Sequence, residues 1–269
     1  MRVVPLRIAH FSDVHLVSPR ERLRIPMRMA SAGRPLDAEG IAGRARRLAQ
    51  AFAEAKTQRA DHVIVSGDLT EYGTPAELEL FAEIALASGI APDRVTLIPG
   101  NHDRYDDAGS FRAALAGPLR PFAANAPRLP GQLTDLGEAV IFPVDVTKHQ
   151  NVIDSSGLVR EDDARALASR IADEGLRAKA LVLVVHHPPF RHANPAWHRI
   201  NGLHRQERVL DLALRSENVH VVHGHLHRMM ASPIGDVPRA RVFGVAAVVN
   251  ERGPRVRIFE VDGGALWPV

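Results

Sequence analysis

The chain has 269 residues, 45% hydrophobic and 24% charged, with 34 Lys+Arg against 31 Asp+Glu and a formal net charge of +3. That composition supports a sizeable core and excludes intrinsic disorder and collagen-like repeats. The 14 histidines and absence of cysteine exclude disulfide frameworks, zinc fingers, thiolate nucleophiles and cysteine-held iron–sulfur clusters, so any metal must be held by His, carboxylate or amide groups.

In chain order, β-branched apolar runs predict strands over Leu6–Phe11, Val63–Val65, Val95–Ile98, Ala139–Val144, Leu181–Val185, Val219–Val222, Val242–Val249 and Val256–Val261. Helical spacing of apolar residues falls between several of them, over Ala42–Arg59, Pro75–Ser88, Ser110–Ala116, Glu161–Glu174 and Gln206–Ser216. The alternation predicts an α/β layered fold. No long Ser/Gly/Pro linker divides the chain, which is expected to form a single domain over residues 1–269.

Two stretches fit no regular element, one near 17–40 and one near 190–203; irregular loops longer than about 12 to 15 residues are usually functional or mobile. In the first, Leu23, Ile25, Met27 and Met29 alternate with Arg22, Arg24, Pro26 and Arg28, giving an extended segment with one apolar and one largely cationic side. It reads as a surface flap, a lid over an anionic substrate, or a surface for peripheral membrane contact. Residues 1–60 hold 12 basic and 5 acidic residues, so the positive charge is local. The pI near 9.8 reflects 31 arginines among the 34 basic residues, and nucleic acid is not an expected partner. Met1–His10 lacks the apolar core of a signal peptide and no apolar run spans a membrane, so a soluble, cytoplasmic protein is expected.

The metal-capable residues fall just after predicted strands. Asp13 and His15 follow the first, Gly67-Asp68 the second and Gly100-Asn101-His102-Asp103 the third. His186-His187 follow Leu181–Val185, and Gly224-His225-Leu226-His227 follow Val219–Val222. Residues beyond the carboxyl ends of strands in α/β sheets converge on a ligand crevice. A lone histidine there is more often structural than a ligand, but five such sites in order, two with Gly turns that permit close approach, weaken that reading.

This ordered set, Asp-x-His, Gly-Asp, Gly-Asn-His-Asp, His and Gly-His-x-His from Asp13 to His227, resembles the calcineurin-like metallophosphoesterase superfamily. The stretches Gly67–Gly73 and His186–Pro189 are most similar to its bacterial class III cyclic-nucleotide phosphodiesterase branch. The resemblance implies two packed mixed β-sheets flanked by helices, an α-β-β-α sandwich, with a dinuclear metal centre at the strand ends. Carried over, it makes Asp13, His15, Asp68 and His227 ligands of one metal, and Asp68, Asn101, His186 and His225 ligands of the other. Asp68 bridges them. Imidazole and oxygen donors without sulfur suit Mn, Fe, Zn, Co or Ni. His102 is expected to face the substrate as proton donor or phosphate stabiliser, with Asp103 orienting its ring. His187 is expected to point away from the metals, with substrate contact the alternative, His223 to sit behind the ligands or in the core, and His10, His62, His149 and His220 to be structural or exposed.

The expected activity is metal-dependent hydrolysis of a phosphate-ester small molecule by in-line attack of an activated water. A diester is the leading substrate, a cyclic nucleotide among the candidates; a phosphomonoester or a nucleotide or phospholipid pyrophosphate is the alternative. Phosphoprotein phosphatases carry Asp-Arg-Gly after the second motif, which this chain lacks. A non-catalytic scaffold would have lost ligands, and all seven positions are filled here.

Overall fold

Sheet strands in this protein are nearly continuous apolar runs because both faces are covered. In the computed structural model, which describes residues 5–19, 38–104, 110–149, 153–236, 239–250 and 255–269, the first half runs β1 (Leu6–Phe11), α1 (Ala38–Thr57), β2 (His62–Val65), α2 (Pro75–Ala87), β3 (Val95–Leu97) and α3 (Ser110–Ala116). It continues through β4 (Thr134–Asp135), β5 (Ala139–Pro143), β6 (Gly157–Leu158), α4 (Glu161–Ile171), β7 (Ala180–Val184), α5 (Pro195–Asn201), β8 (Leu203–His204) and α6 (Glu207–Leu214). The chain closes with β9 (Val219–His223), β10 (Met230–Pro233), β11 (Ala240–Gly244), β12 (Arg257–Asp262) and β13 (Ala265–Pro268).

One mixed sheet has the order β13-β12-β1-β2-β3, a second β10-β11-β9-β7-β5-β4, and β6 pairs with β8 in a small ribbon. Side chains alternate between layers with the two-residue strand period. In β2, Val63 and Val65 join Leu48, Phe52, Leu78 and Phe81 beneath α1 and α2, while Ile64 points the other way to Ile8, Val182, Phe243 and Phe259 between the sheets. In β7, Leu181 and Leu183 pack with Leu167, Val209 and Leu212 of α4 and α6, and Val182 and Val184 face the inter-sheet core. The result is the expected four-layer α-β-β-α sandwich. Thr74 and Glu77 start α2 with reciprocal side-chain caps, followed by Pro75 at the first helical position.

Several segments depart from expectation, among them short strands β4, β6, β8, β10 and β13 and a start of α1 at Ala38. The run Val242–Val249 is not one strand: β11 stops at Gly244, and the chain crosses so that Val248 N and Val249 N bond the carbonyls of Ser12 and Asp13 at 2.9 and 3.1 Å. This ties the second sheet to the loop after β1. The helix expected to reach Glu174 ends at Ile171, because Asp173 caps a separate 3-10 turn by accepting from Gly175 N at 2.9 Å. The stretch near 190–203 contains α5, whose Asn194 side chain accepts from Ala196 N and Trp197 N at 3.0 and 3.2 Å. Most of the basic, alternating segment near 17–40 lies outside the described residues.

Candidate metal centre

In each sheet the parallel strands end on one side, β1, β2 and β3 in one and β5, β7, β9 and β11 in the other. The loops that leave those ends carry the candidate ligands. His186 Nδ1 reaches the Ser66 carbonyl across the sheets at 2.8 Å, and both His225 N and its neighbours fold back so that His225 N donates to both Asp13 carboxylate oxygens at 3.1 Å. His102 N donates to Asp68 Oδ1 at 2.8 Å.

The donor atoms crowd together. Asp13 Oδ1 lies 3.3 Å from His227 Nε2, which is 3.2 Å from His15 Nε2, itself 3.7 Å from Asp68 Oδ2. On the other side, His186 Nε2 lies 3.3 Å from Asp68 Oδ2 and 3.1 Å from Asn101 Oδ1, which is 3.0 Å from His225 Nδ1. Thus all seven expected ligand positions meet, with Asp68 between the two sets. Asp13, His15, Asp68, Asn101 and His186 are buried.

Backbone carbonyls fix which ring nitrogen of two histidines faces the cluster. The Ser66 carbonyl can only accept, so His186 Nδ1 donates to it; likewise His225 Nε2 donates to the Asn201 carbonyl at 3.0 Å. That leaves His186 Nε2 and His225 Nδ1, 3.1 and 3.0 Å from Asn101 Oδ1, as the nitrogens that face the cluster and could hold a cation. Burial would lower His186, but the charge and hydrogen bond of Asp68 outweigh it and raise its pKa to about 9. His227 is likewise raised by Asp13 against its burial, and Asp13 and Asp68 are held below the usual carboxylate range by these histidines despite being buried. Burial and the charge of His186 lower His225 to about 3, leaving it neutral as a ligand must be.

The backbone at these positions is unusual. Seven non-glycine residues among those described have positive φ, and five of them are Asp13, His15, Asp68, His225 and His227. Left-handed backbone costs roughly 1–2 kcal/mol for such residues and collects where function demands it. Close approach also explains two motif glycines. A Cβ on Gly100 would lie 2.2 Å from Asp68 N and Oδ1, and one on Gly224 would lie 2.0 Å from Ser12 Oγ and 2.5 Å from Asp13 Oδ2.

His102 is half-buried beside the cluster, its ring 4.5 Å from that of His15. Its Nδ1 donates to the Glu71 carbonyl at 2.9 Å. The expectation that Asp103 orients this ring is therefore corrected. The buried Asp103 carboxylate accepts from Leu69 N, Thr70 N, Thr70 Oγ1 and Gly100 N at 2.6–3.1 Å, and so ties the Asp68 turn to the Asn101 turn. Burial and the Asp68 charge raise its pKa to about 6.

Glu71 was not among the expected site residues. Its carboxylate accepts from Arg44 Nη1 at 2.7 Å and lies 3.4 Å from His15 Nδ1, an ion-pair distance just short of hydrogen-bonding geometry. Together with His15 and His102 it forms a third group of potential ligands. Burial alone would raise Glu71, but His15, His102 and Arg44 outweigh it and hold its pKa at about 2. The only sequence signal was an acidic residue three positions past the Gly-Asp turn. His187 donates to the Ser155 carbonyl at 2.7 Å and His223 bonds the Gly224 carbonyl, both buried behind the ligands. His10, His62 and His220 are buried on structural partners, and His149 is exposed.

The family model described as calcineurin-like phosphoesterase matches residues 6–229. A glycerophosphodiester phosphodiesterase, GpdQ of Enterobacter lignolyticus, is 27% identical over 82% of this chain and 71% of its own length. Among solved structures, a dimetal phosphatase from Danio rerio superposes with a TM-score of 0.69 at 14% identity, covering 96% of this chain and 93% of that one. The protein TT1561 of Thermus thermophilus matches with a TM-score of 0.57 at 13% identity over 99% of both chains. These last two show the fold. No helix among the described residues is long and apolar enough to cross a membrane.

Proposed function

Because the chain belongs to the calcineurin-like phosphoesterase family, and is thus a phosphoester hydrolase, we propose that it is a phosphodiesterase working at a dinuclear metal centre, with residues 1–269 acting as one domain. The observation that carries this reading is the Asp68 carboxylate lying between His15 and His186 at 3.7 and 3.3 Å. The similarity to a glycerophosphodiester phosphodiesterase favours the diester over the monoester.

Asp13, His15, Asp68 and His227 would hold one cation and Asp68, Asn101, His186 and His225 the other, with Mn, Fe, Zn, Co and Ni the suited metals. Such a pair supplies activation of water and neutralisation of phosphate charge. The chain's own residues arrange the rest. Ser66 and Asn201 carbonyls fix the tautomers of His186 and His225, and Asp103 holds the two turns that present Asp68 and Asn101. His102 commits Nδ1 to the Glu71 carbonyl, so its proton chemistry runs through Nε2, where it serves the leaving oxygen.

The test is a metal-reconstituted panel of bis(p-nitrophenyl) phosphate, p-nitrophenyl phosphate, cyclic AMP, cyclic GMP and glycerophosphocholine. Diester turnover well above monoester turnover is expected. A preference for the monoester overturns the diesterase reading.

A further inference from the structure

A cleft of about 1150 Å³ has a wall that begins at Arg104, three residues past the candidate ligand Asn101, and its charge is not used by the chemistry above. One wall comes from the 3-10 turn His102–Arg104, which follows Asn101 directly, and from α3 and the 3-10 turn Arg120–Asn125. The opposite wall comes from the loop after β5 and the start of α4.

Four arginines line the first wall: Arg104, Arg112, Arg120 and Arg128. None forms an ion pair among the described residues, and Arg112, Arg120 and Arg128 are exposed. The Nε of Arg104 is shut off from solvent yet has no hydrogen-bond partner among the described residues. On the opposite wall Arg160 is occupied, donating to the carbonyls of Asp145 and Thr147. Two acids face the cleft, but Asp145 is engaged by Thr147 N and Oγ1 at 2.9 and 2.5 Å, and burial pushes the Asp163 carboxyl up. Five guanidinium groups against two carboxylates leave the lining of the cleft cationic among the described residues. Guanidinium groups are suited to phosphate by charge and planar donor geometry.

We infer that this cleft receives a second anionic group on the alcohol portion of the diester substrate, so that the enzyme selects diesters bearing an additional phosphate over neutral or cationic ones. This rests on the phosphodiesterase reading. The apolar floor of Phe111, Leu115 and Ala123 suits the carbon frame that joins the two groups.

The full-length, metal-loaded enzyme is assayed on glycerophosphoinositol 4-phosphate and glycerophosphocholine, as wild type and as the double variant Arg112→Ala/Arg128→Ala. The wild type should favour the inositol phosphate ester in kcat/KM by tenfold or more, through KM, with the ratio falling as salt rises. The double variant should bring that ratio close to one. A ratio near one in the wild type, or one the variant leaves unmoved, overturns the inference. Calorimetric titration with inositol hexasulfate separates this from the parent reading: arginine-dependent binding with no diester turnover sinks the phosphodiesterase and keeps the anion cleft. Binding that ignores both arginines sinks the cleft. If oligothymidylate displaces the hexasulfate at lower concentration than the inositol phosphate ester does, the occupant is a nucleic acid strand and the small-diester assignment is overturned.

Discussion

Arg44 donates a 2.7 Å hydrogen bond to the carboxylate of Glu71, both side chains being buried, and so brings α1 against the loop after β2. Arg44 Nη1 also reaches the His15 carbonyl at 2.6 Å. The pair therefore braces His15 from its backbone and, through Glu71, from its ring. Removing one partner of a buried pair strands the other charge, at a cost of about 3–5 kcal/mol.

Glu71→Gln keeps the shape and the backbone carbonyl that holds His102 but removes the charge beside His15. Partners one step behind a ligand typically change metal affinity about 10- to 100-fold. Metal titration of this variant should show one of two sites weakened by that amount, with an unchanged far-ultraviolet circular dichroism spectrum. Two sites of wild-type affinity would show that Glu71 does not support His15.

Asp68 and His102 separate metal holding from turnover. Asp68→Ala should lose both activity and bound metal by elemental analysis. His102→Ala should keep its metal and lose about 10²- to 10⁴-fold in kcat, the usual range for a positioned proton-transfer group. Loss of metal from the His102 variant would place that residue among the ligands instead.

Gly100 and Gly137 make a controlled comparison. At Gly100 a Cβ would meet Asp68 at 2.2 Å, whereas at Gly137, with φ at +87°, nothing lies within 4 Å. Gly137→Ala should therefore cost only the backbone term, about 1–2 kcal/mol, and leave activity intact. Gly100→Ala must displace the Asp68 turn. Thermal melts and metal titrations of both should show the metal site disturbed in Gly100→Ala alone.

The pH dependence of stability follows from histidines outside the metal centre. Burial lowers His10 and His62 to about 3 and His220 to about 4, from an ordinary value of 6.5. The unfolded chain then binds more protons than the native one below pH 6.5, so stability falls as pH drops from 6.5 toward 4. Each ring contributes roughly 1.4 kcal/mol per pH unit in that window. Urea midpoints between pH 7.5 and 5 should fall accordingly, and His62→Gln should flatten the slope. Equal slopes for wild type and variant would mean that His62 is not held neutral.

Chelation should be visible in stability as well as in activity. Ligand bound only by the native state stabilises it by about 2.7 kcal/mol at a concentration 100 times its Kd. EDTA should lower the melting temperature and abolish turnover, with Mn²⁺ restoring both. Full activity in metal-free protein would overturn the dinuclear reading.

Much of the site was legible because strand ends are local features. Asp68 and Asn101 each follow a short apolar run and a glycine, and their positions needed only the period of the strands and the turn chemistry. The exact span of β1 and α3 was legible for the same reason. Asp103 was misread because adjacency to His102 suggested a partnership, while its carboxylate turned out to satisfy three backbone amides and a hydroxyl from two turns. The short α5 was hidden because seven residues carry too little periodicity, although Asn194-Pro195 is a helix-start signal.

From its sequence alone the chain declared an α/β layering, the strand-end placement of its metal-capable residues and the absence of any thiolate ligand, because apolar periodicity and donor chemistry are local properties. Only the tertiary structure decided that Arg44 and Glu71 stand behind His15, that residues after β11 cross to Ser12 and Asp13, and that four arginines scattered from Arg104 to Arg128 line one cleft. Those contacts join positions far apart in the chain, and no pattern along the sequence specifies them until packing of the two sheets brings them together.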